Sequence, residues 1–384
     1  MDASGIIGNL HDLLPAIRRH APEIERARRL PAHLVTALQG SGVFRLTLPR
    51  DLGGVEAEPS DLLRAIELVS TADGSVGWCT MVGLGNNIVA GYMPVDGARE
   101  VFANPDAPTA GIAAPAGRAV PVDGGVRVTG RWPFASGITH AEWAWAGCLL
   151  MDGDHPRMSP TGPVIVHACI PVADVTVHDT WQVSGLRGTG SHDFSIEDAF
   201  VPERRLFTLL DSSEHRLVPL YQMPPLGLFV YQLAAVSLGL ARRALDDLID
   251  LAQKKVPTLY NSPLADRPAV HLGLSHAEAA LGSARAFLHE AVVEIWRAVS
   301  AGRSLTARQV ALGRLAATAA VEAGASVTRT AATLAGGGAL YDESPMQRHV
   351  RDAEAATHHF TVAPHTWEEA GRVLLGRPTV APIF

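Results

Sequence analysis

Side chains able to exchange protons occur at two widely separated places in this sequence. Ser136 stands beside Gly137 at the end of the segment Gly-Arg-Trp-Pro-Phe-Ala-Ser-Gly. Its hydroxyl can donate and accept hydrogen bonds, and the glycine lets backbone approach a bound ring closely. The adjacent His358 and His359 lie near the end of the chain, and an imidazole titrates near neutral pH. The alternative to a catalytic role is that Ser136 only stabilises a turn and that the histidines lie on the surface. The motifs around these residues decide between the two interpretations.

The composition argues against several classes of partner and site. The chain has a net charge of −7 and no extended basic stretch, so neither nucleic acid nor an anionic membrane surface is expected as a partner. No signal peptide and no run of about 18 apolar residues is evident by eye, and a cytoplasmic protein is the expectation. The cysteines Cys79, Cys148 and Cys169 lie in separate apolar runs. Their odd count and wide spacing predict neither a disulfide framework nor a metal site.

The residue pattern divides the chain into three regions. Residues 1–108 show the spacing of apolar residues that is typical of helices. Residues 109–213 are rich in Gly, Pro, Val and Thr and contain short alternating runs, which predict a small β-barrel or sandwich. Residues 214–384 hold long Ala- and Leu-rich stretches that predict a four-helix bundle. The expected helices cover Ile6–His20, begin at Pro31 and after an N-cap at Ser60, and then cover Leu226–Ala252, His271–Ala301, Thr306–Leu334 and Ala353–Leu375. The fold class is therefore mainly α with a central β domain.

Three motifs in these regions resemble those of the acyl-CoA dehydrogenase superfamily. The segment 130–137 is similar to the W-x-F-x-S-G version found in the monooxygenase branch. Residues 181–202 carry Trp-x-x-x-Gly-Leu-Arg-Gly-Thr-Gly-Ser-x-Asp and then Phe-Val-Pro, and residues 351–376 run from Arg-Asp to Gly-Arg-x-Leu-Leu-Gly. The resemblance covers essentially the whole chain. It implies an acyl-CoA dehydrogenase-like fold, with an N-terminal helical domain, a β-barrel and a C-terminal four-helix bundle, assembled as a homotetramer or a dimer of dimers.

One position separates the branches of this superfamily. Acyl-CoA dehydrogenases commonly carry a glutamate after the Arg-Asp pair that removes a substrate proton, whereas Phe360 stands at the corresponding place here. A phenyl ring cannot take up a proton. The chain is therefore more similar to the oxygenase half of two-component flavin-dependent (group D) monooxygenases, of the 4-hydroxyphenylacetate hydroxylase type.

That branch implies a cofactor, a co-substrate and a partner. Its oxygenases bind reduced FMN or FAD made by a separate NAD(P)H flavin reductase, trap O2 as a flavin C4a-hydroperoxide and transfer oxygen to a substrate. We expect an aromatic small molecule, phenolic, indolic or polycyclic, as the substrate. The alternatives are an amine N-oxygenase or oxidase on the same fold, an acyl-CoA dehydrogenase, and an inactive paralogue that acts as a scaffold.

The resemblance also implies roles for individual residues. Ser136 is the candidate for contact with flavin N5 or the peroxide, and His359 for stabilising the peroxide or deprotonating a phenol or an indole nitrogen. Two adjacent residues on a helix point about 100° apart, so only one of His358 and His359 would face the flavin, and the motif favours His359. Further cofactor contacts are expected from Trp132, Phe134, Ala135, Gly137, Trp181, Arg187, Thr189 and Ser191. The loop backbone at Thr189 and Ser191 could cradle the flavin phosphate, with Arg187 as its ion partner.

The substrate is expected beside the helix that follows Asp73. The candidate contacts are Trp78, Thr80, Asn86, Asn87 and His358. Many relatives have a histidine where Asn86 and Asn87 stand. An amide can hydrogen-bond a hydroxyl but cannot serve as a base, which disfavours a simple phenol and leaves an indole, a polycyclic ring or an amine. Plain structural hydrogen bonding by the two asparagines is the alternative.

Overall fold

Helices occupy both ends of the chain and a sheet occupies its centre. The computed structural model describes residues 1–209, 217–258 and 260–380. Within these ranges the helices are α1 (Ala3–Ala27), α2 (Ala32–Ser41), α3 (Pro59–Ser70), α4 (Gly74–Asn87), α5 (Val95–Val101), α6 (Pro219–Gln222), α7 (Pro225–Lys254), α8 (Pro268–Ser300), α9 (Ala307–Ala335), α10 (Pro345–Thr357) and α11 (His365–Leu374). The strands are β1 (Thr109–Val122), β2 (Gly125–Ala135), β3 (Trp143–Asp152), β4 (His155–Pro156), β5 (Met158–Ser159), β6 (Gly162–Pro163), β7 (Ile165–Pro171), β8 (Thr176–His178), β9 (His192–Pro202) and β10 (Leu206–Phe207). The first strand begins at Thr109; the domain boundary expected after residue 108 stays a prediction, and the one expected at 213/214 lies outside the described residues.

Capping and proline positions explain where the N-terminal helices begin. The Asp73 carboxylate accepts a hydrogen bond from the Val76 amide and caps α4, as short polar side chains do at helix N-termini. Helix α3 begins at Pro59, with Glu58 at the N-cap position, so the prediction of an N-cap at Ser60 is wrong. A proline begins this helix because its fixed φ suits the first helical turn. A backbone N–H at that position would have no partner within the helix, so the proline removes no hydrogen bond.

The central domain is one open sheet with its own core. The strand order is β10-β7-β3-β1-β2-β9-β8, with β4 paired to β3 and a separate β5–β6 hairpin. Strands β1 and β3 run parallel, and the other pairs are antiparallel. In the described part of the chain, no ladder joins β10 to β8, so the predicted barrel is a curved sheet that is not closed by hydrogen bonds.

The C-terminal bundle packs around α7, whose side chains are buried along most of its length. Three of the expected long helices are continuous, as α7, α8 and α9. The fourth, predicted over 353–375, is divided into α10 and α11 by a short 3-10 turn at Phe360–Val362. The break begins at His359, whose backbone is extended, and Pro364 accounts for the second extended residue, Ala363, because a proline disfavours helical backbone at the residue before it.

Two helices are long and apolar enough to cross a membrane by length and composition alone. They are α7 and α9, and the most apolar stretches of these helices are 78% and 61% buried inside the protein. Such burial is typical of the core helices of a bundle, which must present apolar surface on several sides.

Candidate functional site

The two candidate catalytic side chains lie on either side of one indole. Trp78, on α4, donates a hydrogen bond from Nε1 to Ser136 Oγ over 3.1 Å. The centre of the same indole is 6.1 Å from the imidazole of His359. Trp78 and Ser136 keep 8% and 9% of their surface exposed. The tertiary fold therefore brings together three residues that are 58 and 223 positions apart in sequence (136 − 78 and 359 − 136).

His359 owes its orientation to the break between α10 and α11. It caps the 3-10 turn, with Nδ1 accepting a hydrogen bond from the Thr361 amide at 3.3 Å and lying 2.7 Å from Thr361 Oγ1. An Nδ1 that accepts from the amide places the proton of the neutral ring on Nε2. Burial, with the charge of Arg314, lowers the pKa of His359 to about 4. The ring is thus neutral at physiological pH and offers an Nε2–H.

His358 and His359 do not share a helix, contrary to the premise from sequence. His358 ends α10 and is exposed, whereas His359 begins the following turn and is half-buried. Their different surroundings, and not a helical angle, distinguish the two rings. Phe360, at the position of the dehydrogenase glutamate, is 54% exposed.

The hydroxyl groups of Ser136, Ser191 and Thr189 are hydrogen-bonded in a row. Ser136 Oγ lies 2.6 Å from Ser191 Oγ, which lies 2.6 Å from Thr189 Oγ1. Thr189 Oγ1 donates to the Leu186 carbonyl over 2.8 Å. We name the series Trp78–Ser136–Ser191–Thr189–Leu186 the hydroxyl chain. Thr189 and Ser191 are buried. Because Ser191 is hydrogen-bonded to both Ser136 and Thr189, these two hydroxyls hold the Ser136 hydroxyl in position.

The prediction that the loop backbone cradles a phosphate is wrong for the amides of Gly188, Thr189 and Gly190. These N–H groups donate instead to Ser75 Oγ, Leu186 O and Arg187 O. These three amides are therefore not available to an anion, while the predicted contact of the Ser191 amide with the phosphate stays a prediction.

Phe134 presents an aromatic face next to Ser136. Its φ is +65°, a left-handed conformation that is uncommon for a bulky residue and often marks a functional position. The ring is 67% exposed and stands edge-on to Trp181 at 6.1 Å. Gly137, with φ +77°, donates its N–H to the Thr189 carbonyl and closes the turn. An exposed phenyl ring beside a hydroxyl with an unused lone pair fits a flat, polar-edged ring system such as a flavin.

Two residues of this segment cannot contact a flavin through their side chains. Trp132 is fully buried in the core of the sheet, where it stacks on Phe194 and donates Nε1–H to Gly147 O. Ala135 is also fully buried. The prediction that Trp132 walls the cofactor is wrong: regular alternation would put Trp132 and Phe134 on one face, but the pairing of β2 with β9 shifts register between Trp132 and Ala135, where Phe134 has a positive φ, and only Phe134 is exposed.

The asparagines expected at the substrate are structural. Asn87 donates to the carbonyls of Phe44 and Ala107 and accepts from the amide and hydroxyl of Thr109. Asn86 donates to the Thr109 carbonyl. Asn87 thus uses both donors and its carbonyl oxygen to fix the start of β1, so the predicted substrate role for it is wrong, and Asn86 supports the same junction.

Arg187 and Thr80 also differ from expectation. The Arg187 guanidinium donates to the Val183 and Glu25 carbonyls and lies 3.6 Å from the Glu25 carboxylate. Its charge is therefore directed to α1, which does not fit the predicted pairing with a phosphate. Thr80 is fully buried, and among the described residues its hydroxyl has no hydrogen-bond partner.

Two residues of α7 that the sequence analysis missed lie beside this site. The Phe229 ring is 5.5 Å from that of His359. A Cβ added to Gly85 of α4 would be 3.0 Å from Phe229 Cδ2 and 3.8 Å from Gln232 Oε1. Gln232 is fully buried, and within the described chain neither its amide nitrogen nor its oxygen has a partner. Only the pairing of α4 with α7 reveals them, since no local motif marks either residue.

A buried carboxyl joins the sheet domain to the bundle behind the site. Asp352 Oδ1 accepts the Leu186 amide at 2.6 Å, and Arg351 donates to the Ser184 carbonyl. Burial, together with the nearby Asp73, raises the pKa of Asp352 to about 7. The motif at residues 181–202 and the motif at residues 351–376 therefore meet at this contact, which lies at the end of the hydroxyl chain.

Comparison with known proteins agrees with this architecture. The profiles of "Acyl-CoA dehydrogenase, N-terminal domain" and "Acyl-CoA dehydrogenase, C-terminal domain" match residues 15–101 and 231–364. The chain is 34% identical to indole-3-acetate monooxygenase of Pseudomonas putida over 95% of its length and 92% of that protein. It is 30% identical to the flavin-dependent monooxygenase, oxygenase subunit HsaA, of Rhodococcus jostii, over 91% and 92% of the two chains. The structure of XiaF from Streptomyces sp. in complex with FADH2 and glycerol superposes with a TM-score of 0.91 at 25% identity, over 99% and 97% of the chains.

Proposed function

This chain belongs to the acyl-CoA dehydrogenase family and is an oxygenase component of the flavin-dependent monooxygenase type, and we propose that it hydroxylates an indole-like aromatic compound at the Trp78–Ser136–His359 site. The observation that carries the proposal is the meeting of a hydroxyl and a neutral imidazole at one buried indole. These groups suit oxygen transfer, since they can hold hydrogen bonds to flavin and oxygen in a place that largely excludes water.

Each side chain has a distinct task in this proposal. Reduced flavin, when bound, supplies the electrons that activate O2. Ser136 Oγ accepts a hydrogen bond from the flavin edge, and Phe134 supports the ring. The His359 Nε2–H donates a hydrogen bond to the oxygen that is transferred, and Trp78 and Phe229 keep water out. Because its pKa is lowered to about 4, His359 acts here as a neutral donor and not as an imidazolium acid.

For the flavin we propose reduced FAD over reduced FMN. The support is the similarity to XiaF, whose structure contains FADH2. Reduced FMN stays the competing possibility, and a comparison of the two dissociation constants under anaerobic conditions decides between them.

Two observations support an indole-like substrate. The relative with 34% identity is named for oxidation of indole-3-acetate. The buried amide of Gln232, which has no partner among the described residues, could hydrogen-bond a polar substituent on a ring held between Trp78 and Phe229. An N–H or an oxygen substituent would satisfy it equally, because an amide both donates and accepts.

We further propose a separate NAD(P)H flavin reductase as partner, a homotetramer as the assembly and the cytoplasm as the location. The reductase and the location go together, because the NAD(P)H that feeds the reductase is a cytoplasmic reductant. The tetramer is supported by large apolar side chains that remain exposed near the end of the chain: Leu340, Tyr341, Trp367, Leu374 and Leu375. Light scattering that gave a monomer would contradict the assembly.

The test of function uses isotopically labelled O2. The purified protein, supplied with chemically reduced FAD and indole-3-acetate or a panel of bicyclic aromatics, is expected to yield a product that contains one labelled oxygen atom. Absence of label from every product would contradict the proposal. So would bleaching of bound oxidised FAD by an acyl-CoA, which is the reaction of a dehydrogenase.

A further inference from the structure

The hydroxyl chain can carry its protons in only one direction. At one end, the Trp78 indole N–H can only donate, and at the other the Leu186 carbonyl can only accept. Thr189 Oγ1 gives its single proton to that carbonyl over 2.8 Å, so it must accept from Ser191. Ser191 has then used its proton and must accept from Ser136. Ser136 in turn accepts from Trp78 over 3.1 Å.

This assignment fixes what Ser136 can offer to a ligand. Its proton is committed to Ser191 and one lone pair to Trp78, which leaves a second lone pair. Ser136 keeps 9% of its surface exposed and follows the exposed Phe134 by two residues in the same turn. Ser136 therefore meets a bound ring as a hydrogen-bond acceptor.

We propose that Ser191 and Thr189 act as positioning residues that make the site select reduced over oxidised flavin. The proposal rests on the proposed function and on the expectation, from the family resemblance, that Ser136 would contact flavin N5. In reduced flavin N5 carries a hydrogen and donates, which matches the free lone pair of Ser136. In oxidised flavin N5 has no hydrogen and can only accept, so it faces Ser136 lone pair to lone pair.

Binding oxidised flavin well would require the chain to break. Ser136 could turn its proton toward N5 only by leaving Ser191 without a donor. If Ser191 then turned its own proton toward Ser136, the 2.6 Å contact with Thr189 would have no proton in it. Thr189 could compensate only by withdrawing its proton from the Leu186 carbonyl, which would then keep its hydrogen bonds from the Thr189 amide and from Trp181 Nε1–H. In each arrangement the hydroxyl chain makes one hydrogen bond fewer than it makes with reduced flavin, and losing a hydrogen bond in a buried place is unfavourable.

The first test replaces Thr189, which does not contact Ser136, by an isosteric residue. Thr189→Val removes the acceptor for Ser191, so Ser191 is free to turn and Ser136 can donate to oxidised N5. The dissociation constants of oxidised FAD and of photoreduced FAD are measured anaerobically by fluorescence titration. We expect the preference for reduced FAD to fall about tenfold, mainly through tighter binding of oxidised FAD. That change equals a shift of about 30 mV in the potential of the bound two-electron couple.

Matched variants separate this effect from structural damage. Thr189→Ser keeps the hydroxyl and is expected to keep the wild-type preference. Ser191→Ala releases the Ser136 proton by a different change, and it is expected to lower the preference as Thr189→Val does. Far-UV circular dichroism confirms that each variant is folded.

The possible outcomes bear on different claims. Wild-type preference in both folded variants, Thr189→Val and Ser191→Ala, would overturn the inference while leaving oxygen transfer intact as a function. Equal binding of the two redox forms by the wild type would do the same. A wild-type protein that binds neither form, and makes no oxygenated product with reduced FAD, would instead contradict the proposed function itself.

Discussion

Asp352 accepts the backbone N–H of Leu186 at 2.6 Å and so ties the bundle to the loop on which the hydroxyl chain ends. The carboxyl is fully buried in a cluster with Asp73. Leu186 itself has φ +51°, an uncommon conformation for a branched side chain, and the hydrogen bond to Asp352 helps to hold it.

The raised pKa of Asp352 predicts how stability depends on pH. A carboxyl whose pKa is about 7 in the folded protein and 3.8 as its ordinary value takes up a proton on folding between these pH values. The contribution of this carboxyl to stability is therefore greatest below that window and falls as pH rises through it, by up to about 1.4 kcal/mol per pH unit. Asp352→Asn keeps an acceptor for Leu186 but cannot titrate, so we expect a shallower decline. Urea unfolding at several pH values measures it, and parallel profiles for the two proteins would contradict the assignment.

His359 is expected to be needed for oxygen transfer but not for flavin binding. His359→Ala removes the Nε2–H donor, and we expect product formation to fall about 100-fold while the dissociation constant of reduced FAD changes little. Released hydrogen peroxide should rise correspondingly. Because the pKa of His359 is lowered to about 4, the wild-type activity should show no ionisation of this residue between pH 6 and 8. His358→Ala is the control, since that ring is exposed. Undiminished product from His359→Ala would remove this residue from the mechanism.

Trp78 lies between the two halves of the site, with its ring near His359 and its N–H donated to Ser136. Trp78→Phe keeps an aromatic ring but deletes the donor to Ser136. Ser136 then loses a fixed orientation, and we expect the ratio of hydrogen peroxide to product to increase severalfold. Parallel assays of peroxide and product measure that ratio. Trp181→Phe, which removes the indole N–H directed at Leu186 O, is a comparison at the other end of the chain. An unchanged ratio in Trp78→Phe would show that the N–H has no part in coupling.

Gln232 is expected to lower the free energy of unfolding and to contribute to substrate binding. Its amide is fully buried with neither polar atom satisfied in the described chain, which costs about 1–3 kcal/mol for a buried unpaired group. Gln232→Leu should therefore raise the free energy of unfolding, while KM for the aromatic substrate rises and kcat changes less. Gln232→Glu, similar in shape, should lower stability by burying a charge. A stabilised Gln232→Leu with an unaltered KM would contradict the substrate contact.

Asn87 is expected to affect stability alone. Its side chain makes four hydrogen bonds that fix the start of β1, so Asn87→Ala should destabilise the protein by about 3 kcal/mol. At a temperature where the variant is folded, its KM should equal that of the wild type. A changed KM in a protein of normal stability would restore the substrate role.

Much of the fold followed from local signals, but the site followed from them only in part. Pro31 predicted the start of α2, and the apolar stretch after Asp73 predicted α4, because such signals act within a few residues. The motif around Ser136 located the turn correctly, yet it could not show that Trp132 faces the core, since the facing of a strand depends on its sheet neighbours. The role of Asn87 depends on Phe44, Ala107 and Thr109, which meet only after folding.

His359 illustrates the same division. Its identity as the better candidate followed from the motif, but its setting did not. A continuous helix was expected where the chain turns extended at His359, and this break supplies the Thr361 hydrogen bonds that orient the ring. The hydroxyl chain was hidden for a similar reason, because its donors and acceptors come from α4, the turn after β2 and the loop before β9.

The interruption between α10 and α11 also limits how this protein can diverge. On a continuous helix, one inserted residue would rotate the imidazole by about 100° and still leave it on some face of the bundle. In the turn at Phe360–Val362, an insertion would instead uncouple the ring from Thr361 altogether. We therefore expect substitutions to accumulate in this segment among functional homologues, while its length between the two helices stays constant.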